Sequence, residues 1–184
     1  MQIATQRALD LFEEAGTIGF WDIEATGLKG DYNSVLVISV KRYGHKPISF
    51  AATKAGQDKE LLEEAVKELS SLDAWVTYYG KGFDFPMINT RLLQWGLPAL
   101  DKKPHIDMYY ALKYHLLTAR KSQAHLLDWL GTPEKKMSVS AEEWNRVLRD
   151  PAKAMPTMKK RCESDCAGLE ALYKRTRHLV KDVK

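Results

Sequence analysis

The sequence predicts an α/β fold, in which a mixed β-sheet is flanked by α-helices and the C-terminal half is helical. Two observations lead to this prediction. The first half of the 184-residue chain holds several segments rich in Val, Ile and aromatic residues and bounded by turn formers, and such segments are typical of strands. An amphipathic helical segment then lies between two of them, which favours a crossover to a parallel strand.

The first half begins with a predicted helix over residues 3–14, which ends near Gly16, a residue type that stops helices. Three strands are predicted to follow it, over residues 17–23, 34–43 and 48–53. The segments between these strands are short and contain Gly, Asn and Pro. This succession predicts a hairpin meander.

A helix over residues 58–71 and a strand over residues 74–79 complete the predicted sheet. The helix carries apolar residues at i, i+3 and i+4 spacing, at positions 61, 62, 65, 66 and 69. The rest of the chain is predicted to be mostly helical, over residues 85–96, 106–117, 122–131, 141–148 and 157–180. Prolines separate these pieces, and Pro156 is expected to stand just before the last helix.

Length and composition predict a single domain spanning residues 1–184, and 45% hydrophobic with 28% charged residues is typical of soluble globular proteins. No apolar run approaches ~18 residues, so we expect no membrane span, and the amino terminus has no export-signal pattern. The two cysteines, Cys162 and Cys166, are expected to be reduced, which favours a cytoplasmic location.

The net charge of +4 is unevenly distributed, because lysines and arginines crowd the last third of the chain. A basic surface suits a polyanionic partner such as nucleic acid. Most charge runs, however, are solvated helix faces. Charge alone therefore leaves both interpretations open.

Two carboxylates stand in the first predicted strand, in the segment GFWDIEATGL. Asp22 and Glu24 are two positions apart, so in a strand they project from the same face, about 6 to 7 Å apart along the chain. The strand is otherwise apolar, and burial of two like charges is unfavourable. A divalent metal ion between them would remove that penalty, and an exposed strand face is the alternative.

Two further acids occupy unusual positions. Asp84 in TYYGKGFDFP follows a strand at its carboxyl end, where α/β folds place their sites, and capping of the next helix is the alternative. Asp165 lies on the apolar stripe of the long final helix, near Cys162 and Leu169. Asp107 is a weaker candidate that is equally consistent with a helix cap.

Taken in order, DIEATGL, YYGKGFDFP and an aspartate in a late helix resemble the three motifs of the DEDD 3′-to-5′ exonucleases of the ribonuclease H-like superfamily. The chain is most similar to the standalone branch that resembles the proofreading domain of family B DNA polymerases. The resemblance runs from about residue 17 to residue 173. It implies a ribonuclease H-like fold and hydrolysis of phosphodiester bonds of DNA or RNA.

The resemblance implies that Asp22, Glu24, Asp84 and Asp165 hold two divalent ions, Mg²⁺ or Mn²⁺. By analogy Asp22 bridges both ions, Glu24 and Asp165 complete the tighter site, and the remaining aspartate holds the second ion partly through water. Oxygen ligands suit these hard cations. Two such ions about 4 Å apart can activate water and stabilise the leaving 3′ oxygen. The implied partner is a nucleic acid single strand or 3′ end, and no protein partner is predicted.

The resemblance also suggests residues that bind the substrate. Thr26, Gly27 and Leu28 would pack against the terminal nucleotide, and a plain turn is the alternative. Phe85 could stack a base, although packing in the core is the commoner role of such a ring. Arg161 is a further candidate for contact with the substrate.

Two positions depart from the family pattern. Relatives carry Tyr four residues before the last aspartate, or His five before it, to orient the attacking water, and here these positions are Arg161 and Lys160. The glycine turn has Tyr79 where relatives often have Asn. Tyr78, Tyr79 or His105 could substitute in the water-orienting role. The alternatives to an exonuclease are therefore a catalytically weak nucleic-acid-binding homologue and a structure-specific nuclease on the same fold.

Overall fold

The structure is a computed structural model that describes residues 16–182. The helix predicted over residues 3–14 lies outside the described residues. The strands are β1 (Ile18–Ala25), β2 (Val35–Arg42), β3 (Ile48–Ala51), β4 (Ala74–Thr77) and β5 (His105–Asp107). The helices are α1 (Lys59–Ser71), α2 (Asp84–Gln94), α3 (Met108–Leu112), α4 (Gln123–Trp129), α5 (Ala141–Arg149) and α6 (Pro151–Thr176), and a 3₁₀ helix (Arg177–Asp182) follows. None of the helices in this part of the chain is long and apolar enough to cross a membrane.

The strands form one mixed sheet in the order β3-β2-β1-β4-β5. β1, β2 and β3 pair antiparallel in sequence order, whereas β4 pairs parallel with β1 and with β5. Helix α1 lies in the connection between β3 and β4. The predicted α/β fold, hairpin meander and parallel crossover are therefore confirmed.

Strand β5 corrects one prediction for the helical half. It occupies the start of the helix predicted over residues 106–117, and α3 is confined to Met108–Leu112. A three-residue strand carries no periodicity of its own. β5 forms because His105 pairs with Trp75 of β4, a contact between distant parts of the chain.

Pro156 corrects a second prediction, because it lies inside α6 and does not precede a separate helix. Its ring removes one backbone hydrogen bond near the start of this 26-residue helix. The neighbouring side chains of Ala154, Met155 and Met158 are buried in a core cluster with Leu36 of β2. Burial of this apolar surface holds the helix together across the proline.

Strand β1 is buried on both faces, which sets the direction of its acidic side chains. Trp21 and Ile23 belong to the core cluster that includes residues of α1 and α2. Ile18 and Phe20 belong to the cluster on the other face, which includes Leu169 of α6. Because side chains alternate along a strand, the acids at positions 22 and 24 face α6.

A buried ion pair anchors helix α2, the helix that begins at Asp84. Asp58 is fully buried and accepts hydrogen bonds from Arg91 Nε at 2.9 Å and from an Arg91 terminal nitrogen at 2.8 Å. Its carboxylate also accepts from the Val35 amide at 2.9 Å and from Trp95 Nε1 at 2.8 Å. Burial raises the pKa of the Asp58 carboxyl, but these hydrogen bonds outweigh burial and hold it below its ordinary value.

Candidate metal centre

Three carboxylates converge at the carboxyl end of β1. Asp22 and Glu24 project from β1, Asp165 projects from α6, and one oxygen from each lies within 4.8 Å of the others. Glu24 is 6% exposed and Asp165 only 2% exposed. The structure thus brings together three of the four predicted ligands, with the two strand acids on one face as expected.

Asp165 carries a polar atom that has no partner within residues 16–182. Its Oδ2 contacts Lys136 Nζ at 2.8 Å, but its Oδ1 is buried without a hydrogen bond to any described residue. The backbone carbonyl of Asp165 accepts from Gln123 Nε2 at 2.8 Å, which fixes this turn of α6 against α4. A buried oxygen without a partner is unfavourable unless a ligand completes its coordination.

Asp84 lies beside the three carboxylates and outside their tightest group. Its Oδ1 accepts the amide hydrogen of Ile23 at 3.1 Å, beyond the point where the paired part of β4 ends. The N-cap of α2 is Phe83, whose side chain makes no capping hydrogen bond. The helix-cap alternative for Asp84 is therefore wrong, because its carboxylate continues the hydrogen bonding of β1 instead.

Asp107 does cap a helix. Its side chain accepts from the Tyr109 amide at 3.1 Å at the start of α3. It also accepts from the amides of Tyr79 and Lys81, both at 2.9 Å. These three hydrogen bonds account for the burial of Asp107. Its role is to stabilise the turn after β4 and the start of α3.

Burial and mutual repulsion raise the pKa values of the clustered carboxyls. For Asp22, burial is the larger cause and the charges of Asp84 and Asp165 add to it, so its pKa lies well above the ordinary range. Burial raises the pKa of Glu24 to about 7, against the opposing effect of Arg161. Burial likewise raises the pKa of Asp84 to about 7. The cluster therefore favours bound positive charge, whether protons or a cation.

Two cationic side chains face the cluster. Arg161 Nε donates to Glu24 Oε1 at 2.6 Å, and its guanidinium lies 5.5 Å from the ring centroid of Trp144. Lys136 comes from the segment between α4 and α5 and pairs with Asp165. Burial lowers the pKa of Lys136, but Asp165 and Asp22 outweigh burial and raise it. Lys136 therefore stays charged, and neither an ammonium held in this way nor a guanidinium can act as a general base.

The sequence motifs predict Arg161 near the site but give no prediction for Lys136. The only sequence signal for Lys136 was the general excess of basic residues, which does not separate it from its neighbour Lys135. Lys160, the other departure from the family pattern, is exposed.

The tyrosines and the histidine considered for water activation make other contacts. The Tyr78 hydroxyl donates to the carbonyl of Lys121. His105 Nε2 lies 2.7 Å from Thr77 Oγ1, and burial together with Lys81 lowers its pKa to about 4. The ring of Tyr79 lies against other tyrosines.

Cys162 is the soft ligand nearest to the cluster. Its Sγ lies 3.2 Å from the Asp22 carbonyl oxygen and 3.7 Å from Asp22 Oδ2. Burial raises the pKa of this thiol well above its ordinary value, so it stays protonated and donates to Asp22. Cys162 and Cys166 are both free, as expected for reduced cysteines, and both are buried. The available ligands are consequently carboxylate oxygens.

The loop after β1 holds three of the predicted substrate-binding residues. Thr26 Oγ1 accepts from the Ser34 amide at 3.0 Å, and Gly27 packs so closely on Asn33 that a Cβ would lie 2.4 Å from its side-chain oxygen. The side chain of Leu28 is 79% exposed. The loop is thus fixed at its base and presents an apolar side chain to solvent.

Phe85 packs against aromatic rings of the interior. Its ring centroid lies 5.9 Å from that of Trp75 and 6.4 Å from that of His105. It is partly buried against the core cluster that contains Trp75. This placement favours the core-packing alternative over base stacking.

The metal-free protein is expected to lose stability as the pH rises from about 5 to about 8. The pKa values of Glu24 and Asp84 in the folded protein are about 7 and exceed those of carboxyls in an unfolded chain. Between the unfolded-state and folded-state pKa values, the folded protein therefore binds more protons than the unfolded chain. This stabilisation is complete below the unfolded-state pKa and is lost as the pH passes the folded-state pKa. Melting temperatures in EDTA across this range measure the effect, and Glu24→Gln should flatten it. A rise in stability over the same range would contradict the expectation.

Comparison with known proteins shows the family and the fold. The family model of the RNase_H superfamily matches residues 19–177. The uncharacterized protein YprB of Bacillus subtilis (strain 168) is 30% identical over 125 residues, which cover 64% of this chain and 28% of YprB. The family B DNA polymerase from the hyperthermophilic archaeon Pyrobaculum calidifontis has a TM-score of 0.70 at 19% identity, with 88% of this chain and 24% of the polymerase covered.

The chain spans about a quarter of the length of each of these two proteins. At 19% identity, the likeness to the polymerase structure concerns the fold alone. With the family match, it confirms the predicted ribonuclease H-like fold and the predicted resemblance to a domain of family B DNA polymerases.

Proposed function

Since this chain belongs to the RNase_H superfamily, we propose that it is a metal-dependent 3′-to-5′ exonuclease that hydrolyses phosphodiester bonds of DNA or RNA. The family and the fold support a nuclease-type function. The observation that carries the finer proposal is the convergence of Asp22, Glu24 and Asp165, whose ligand oxygens lie within 4.8 Å of one another. The solved structure with the same fold is a family B DNA polymerase, the class whose proofreading domain the three sequence motifs resemble.

The residues of the cluster fit hard divalent cations. Oδ1 of Asp165 is buried without a partner among residues 16–182, and a cation would satisfy it. Burial and the neighbouring acids raise the carboxyl pKa values, which supports the binding of positive charge there. Asp22, Glu24 and Asp165 would hold one ion, and Asp84 would help to hold a second. Mg²⁺ or Mn²⁺, when bound, supplies an activated water and neutralises charge on the leaving 3′ oxygen.

Two basic side chains and the loop after β1 would bind the substrate. Lys136 and Arg161 stand at the edge of the cluster, where their N–H groups can donate to oxygens of the scissile phosphate. The exposed Leu28 can pack on the terminal nucleotide, while Thr26 and Gly27 hold the loop in place. These contacts would place the 3′ end over the carboxylates.

A second candidate function follows from the same two cations. Arg161 pairs with Glu24 and Lys136 pairs with Asp165, so two of the carboxylates already have positive partners. If these pairs persist in the presence of Mg²⁺, the chain is a nucleic-acid-binding protein with little catalytic power.

The test is the release of mononucleotides from a 3′-labelled oligonucleotide, single-stranded DNA and RNA in parallel, in Mg²⁺ or Mn²⁺ and in EDTA. We expect release that requires the metal and is lost in Asp22→Ala and Glu24→Ala. Fragments longer than mononucleotides would indicate internal or structure-specific cutting. No release at any metal concentration, with oligonucleotide binding retained, would leave the second candidate function.

Lys136→Gln is expected to tighten Mn²⁺ binding roughly tenfold, because it removes a cation that competes for Asp165. The midpoint of a Mn²⁺ titration followed by melting temperature measures this. Lys135→Gln is the matched control, because its side chain pairs with the exposed Asp128 at 2.6 Å. Unchanged or weaker Mn²⁺ binding in Lys136→Gln would show that the two cations do not compete.

A further inference from the structure

Four tyrosines, Tyr79, Tyr109, Tyr110 and Tyr114, form an aromatic surface called here the tyrosine shelf. Tyr79 follows β4, Tyr109 and Tyr110 lie on α3, and Tyr114 lies just after α3. The rings of Tyr79 and Tyr110 are stacked, with centroids 5.8 Å apart and planes at 28°. Tyr109 meets both edge-on, at 5.1 and 5.2 Å. Tyr79 is 45% exposed, Tyr110 37% and Tyr114 83%. The shelf therefore offers aromatic surface to solvent while its base is packed.

The backbone of Tyr79 is held in an unfavourable conformation. Its φ of 64° lies in the left-handed region, which is costly for a residue with a large side chain. Asp107 stabilises the turn by accepting the amides of Tyr79 and Lys81. Gly82 makes room for the ring, because a Cβ there would lie 2.7 Å from a Tyr79 ring carbon. Strain of this kind persists where surrounding contacts fix it, and it is concentrated at functional sites.

One lysine lies against the shelf. Lys113 Nζ lies 4.9 Å from the ring centroid of Tyr110 and 4.5 Å from that of Tyr114. Residues 108–127 contain lysine and arginine but neither Asp nor Glu. The carboxylate of Asp107 is fully buried and directed to backbone amides. Aromatic faces beside cations complement bases beside phosphates.

The shelf adjoins the candidate metal centre through one short turn. The amide of Phe83 donates to the Tyr79 carbonyl at 3.1 Å, and the amide of Phe85 donates to the Gly80 carbonyl at 2.9 Å. Asp84 stands between these two hydrogen-bonded residues. The turn that carries Asp84 is therefore the same turn that carries Tyr79 at the edge of the shelf.

We propose that the tyrosine shelf binds the unpaired bases of a single-stranded nucleic acid whose 3′ end enters the metal centre. The inference rests on the proposed exonuclease function and adds to it a binding surface, outside the carboxylates, for the single strand of DNA or RNA that the sequence motifs imply. Base faces are free for stacking on tyrosine only when they are not covered by neighbours in a duplex. A carbohydrate, which aromatic surfaces also bind, is commonly held by carboxylates that accept from its hydroxyls, and residues 108–127 contain no carboxylate.

The test measures binding without turnover, by fluorescence anisotropy of a labelled single-stranded oligonucleotide in EDTA. Tyr110→Leu and Tyr114→Leu are each expected to raise Kd about tenfold, the loss typical of one stacked base. An abasic oligonucleotide of equal length, which keeps the phosphates, should bind wild type and both variants alike. Tyr110→Phe keeps the ring and should keep the affinity.

Tyr43→Leu is the matched control. Tyr43 is 42% exposed, has Lys174 Nζ 5.0 Å from its ring centroid and donates its amide to Ile18 at the start of β1. This is the same chemistry at the opposite end of the central strand, and we expect no change in Kd. Equal losses in Tyr43→Leu and Tyr110→Leu would overturn the assignment of binding to the shelf.

The outcomes for the shelf and for the nuclease are separable. Unchanged affinity in Tyr110→Leu and Tyr114→Leu, equal losses on the abasic strand, or no binding by wild type would each overturn the shelf proposal, whatever the cleavage assay gives. Shelf-dependent binding by a wild-type protein that releases no mononucleotide in Mg²⁺ or Mn²⁺ would support the shelf and overturn the exonuclease.

Discussion

Asp22→Asn is expected to lower the rate of mononucleotide release at least about a thousandfold while raising the stability of the metal-free protein at pH 8 by about 1 kcal/mol. The Asp22 side chain projects from β1 toward α6, and its carboxylate lies within 4.8 Å of those of Glu24 and Asp165. The charges of Asp84 and Asp165 oppose its ionisation. The substitution removes a ligand and, with it, this repulsion. Loss of function with a gain in stability distinguishes a metal-binding acid from a structural one.

Two measurements on one preparation test this expectation: release from a 3′-labelled oligonucleotide in Mn²⁺, and the melting temperature in EDTA. Glu64→Gln is the control, because it removes an acid from the exposed face of α1 and should change stability by less than about 0.5 kcal/mol. Full activity in Asp22→Asn would exclude Asp22 as a ligand. A large loss of stability without metal would assign it a structural role.

Asp58→Ala is expected to destabilise the protein by about 3–5 kcal/mol, which corresponds to a fall in melting temperature of about 10 °C. The substitution leaves Arg91 buried without its counter-charge and also removes the acceptor for Val35 and Trp95. Because Arg91 lies on the helix that begins at Asp84, this pair holds one wall of the metal centre in place.

Thermal and urea unfolding of Asp58→Ala measure the loss directly. The surface pair of Lys59 with Glu63, 3.9 Å apart and exposed, supplies the control, and Glu63→Ala should cost less than about 0.5 kcal/mol. Similar losses of unfolding free energy in the two variants would show that the buried Asp58–Arg91 pair stabilises the protein no more than an exposed pair.

The strand acids could be predicted from the sequence because their signal is local. Alternation along β1 puts Asp22 and Glu24 on one face whatever the rest of the chain does. Asp165 was identified in the same way, as an acid on the apolar stripe of a helix, and it is 2% exposed. Asp84 followed from its place after a strand and a glycine turn, although its bond to the Ile23 amide was not foreseen.

The contacts that depend on distant parts of the chain could not be predicted. Arg161 and Glu24 are 137 positions apart, so no local sequence pattern predicts their ion pair. Lys136 reaches Asp165 from an irregular segment between α4 and α5. Strand β5 was missed because three residues carry no periodicity and only their pairing with β4 makes them a strand. Local sequence patterns thus predict the acids, whereas their pairing with Lys136 and Arg161 depends on the tertiary structure.

The most direct test of the metal centre is a crystal structure of the protein soaked with Mn²⁺ and a nucleoside 5′-monophosphate, with anomalous differences measured. We predict Mn²⁺ bound by Asp22, Glu24 and Asp165, with Lys136 and Arg161 turned from the carboxylates toward the phosphate. No anomalous peak among the carboxylates, with the Lys136–Asp165 and Arg161–Glu24 pairs intact, would contradict the account.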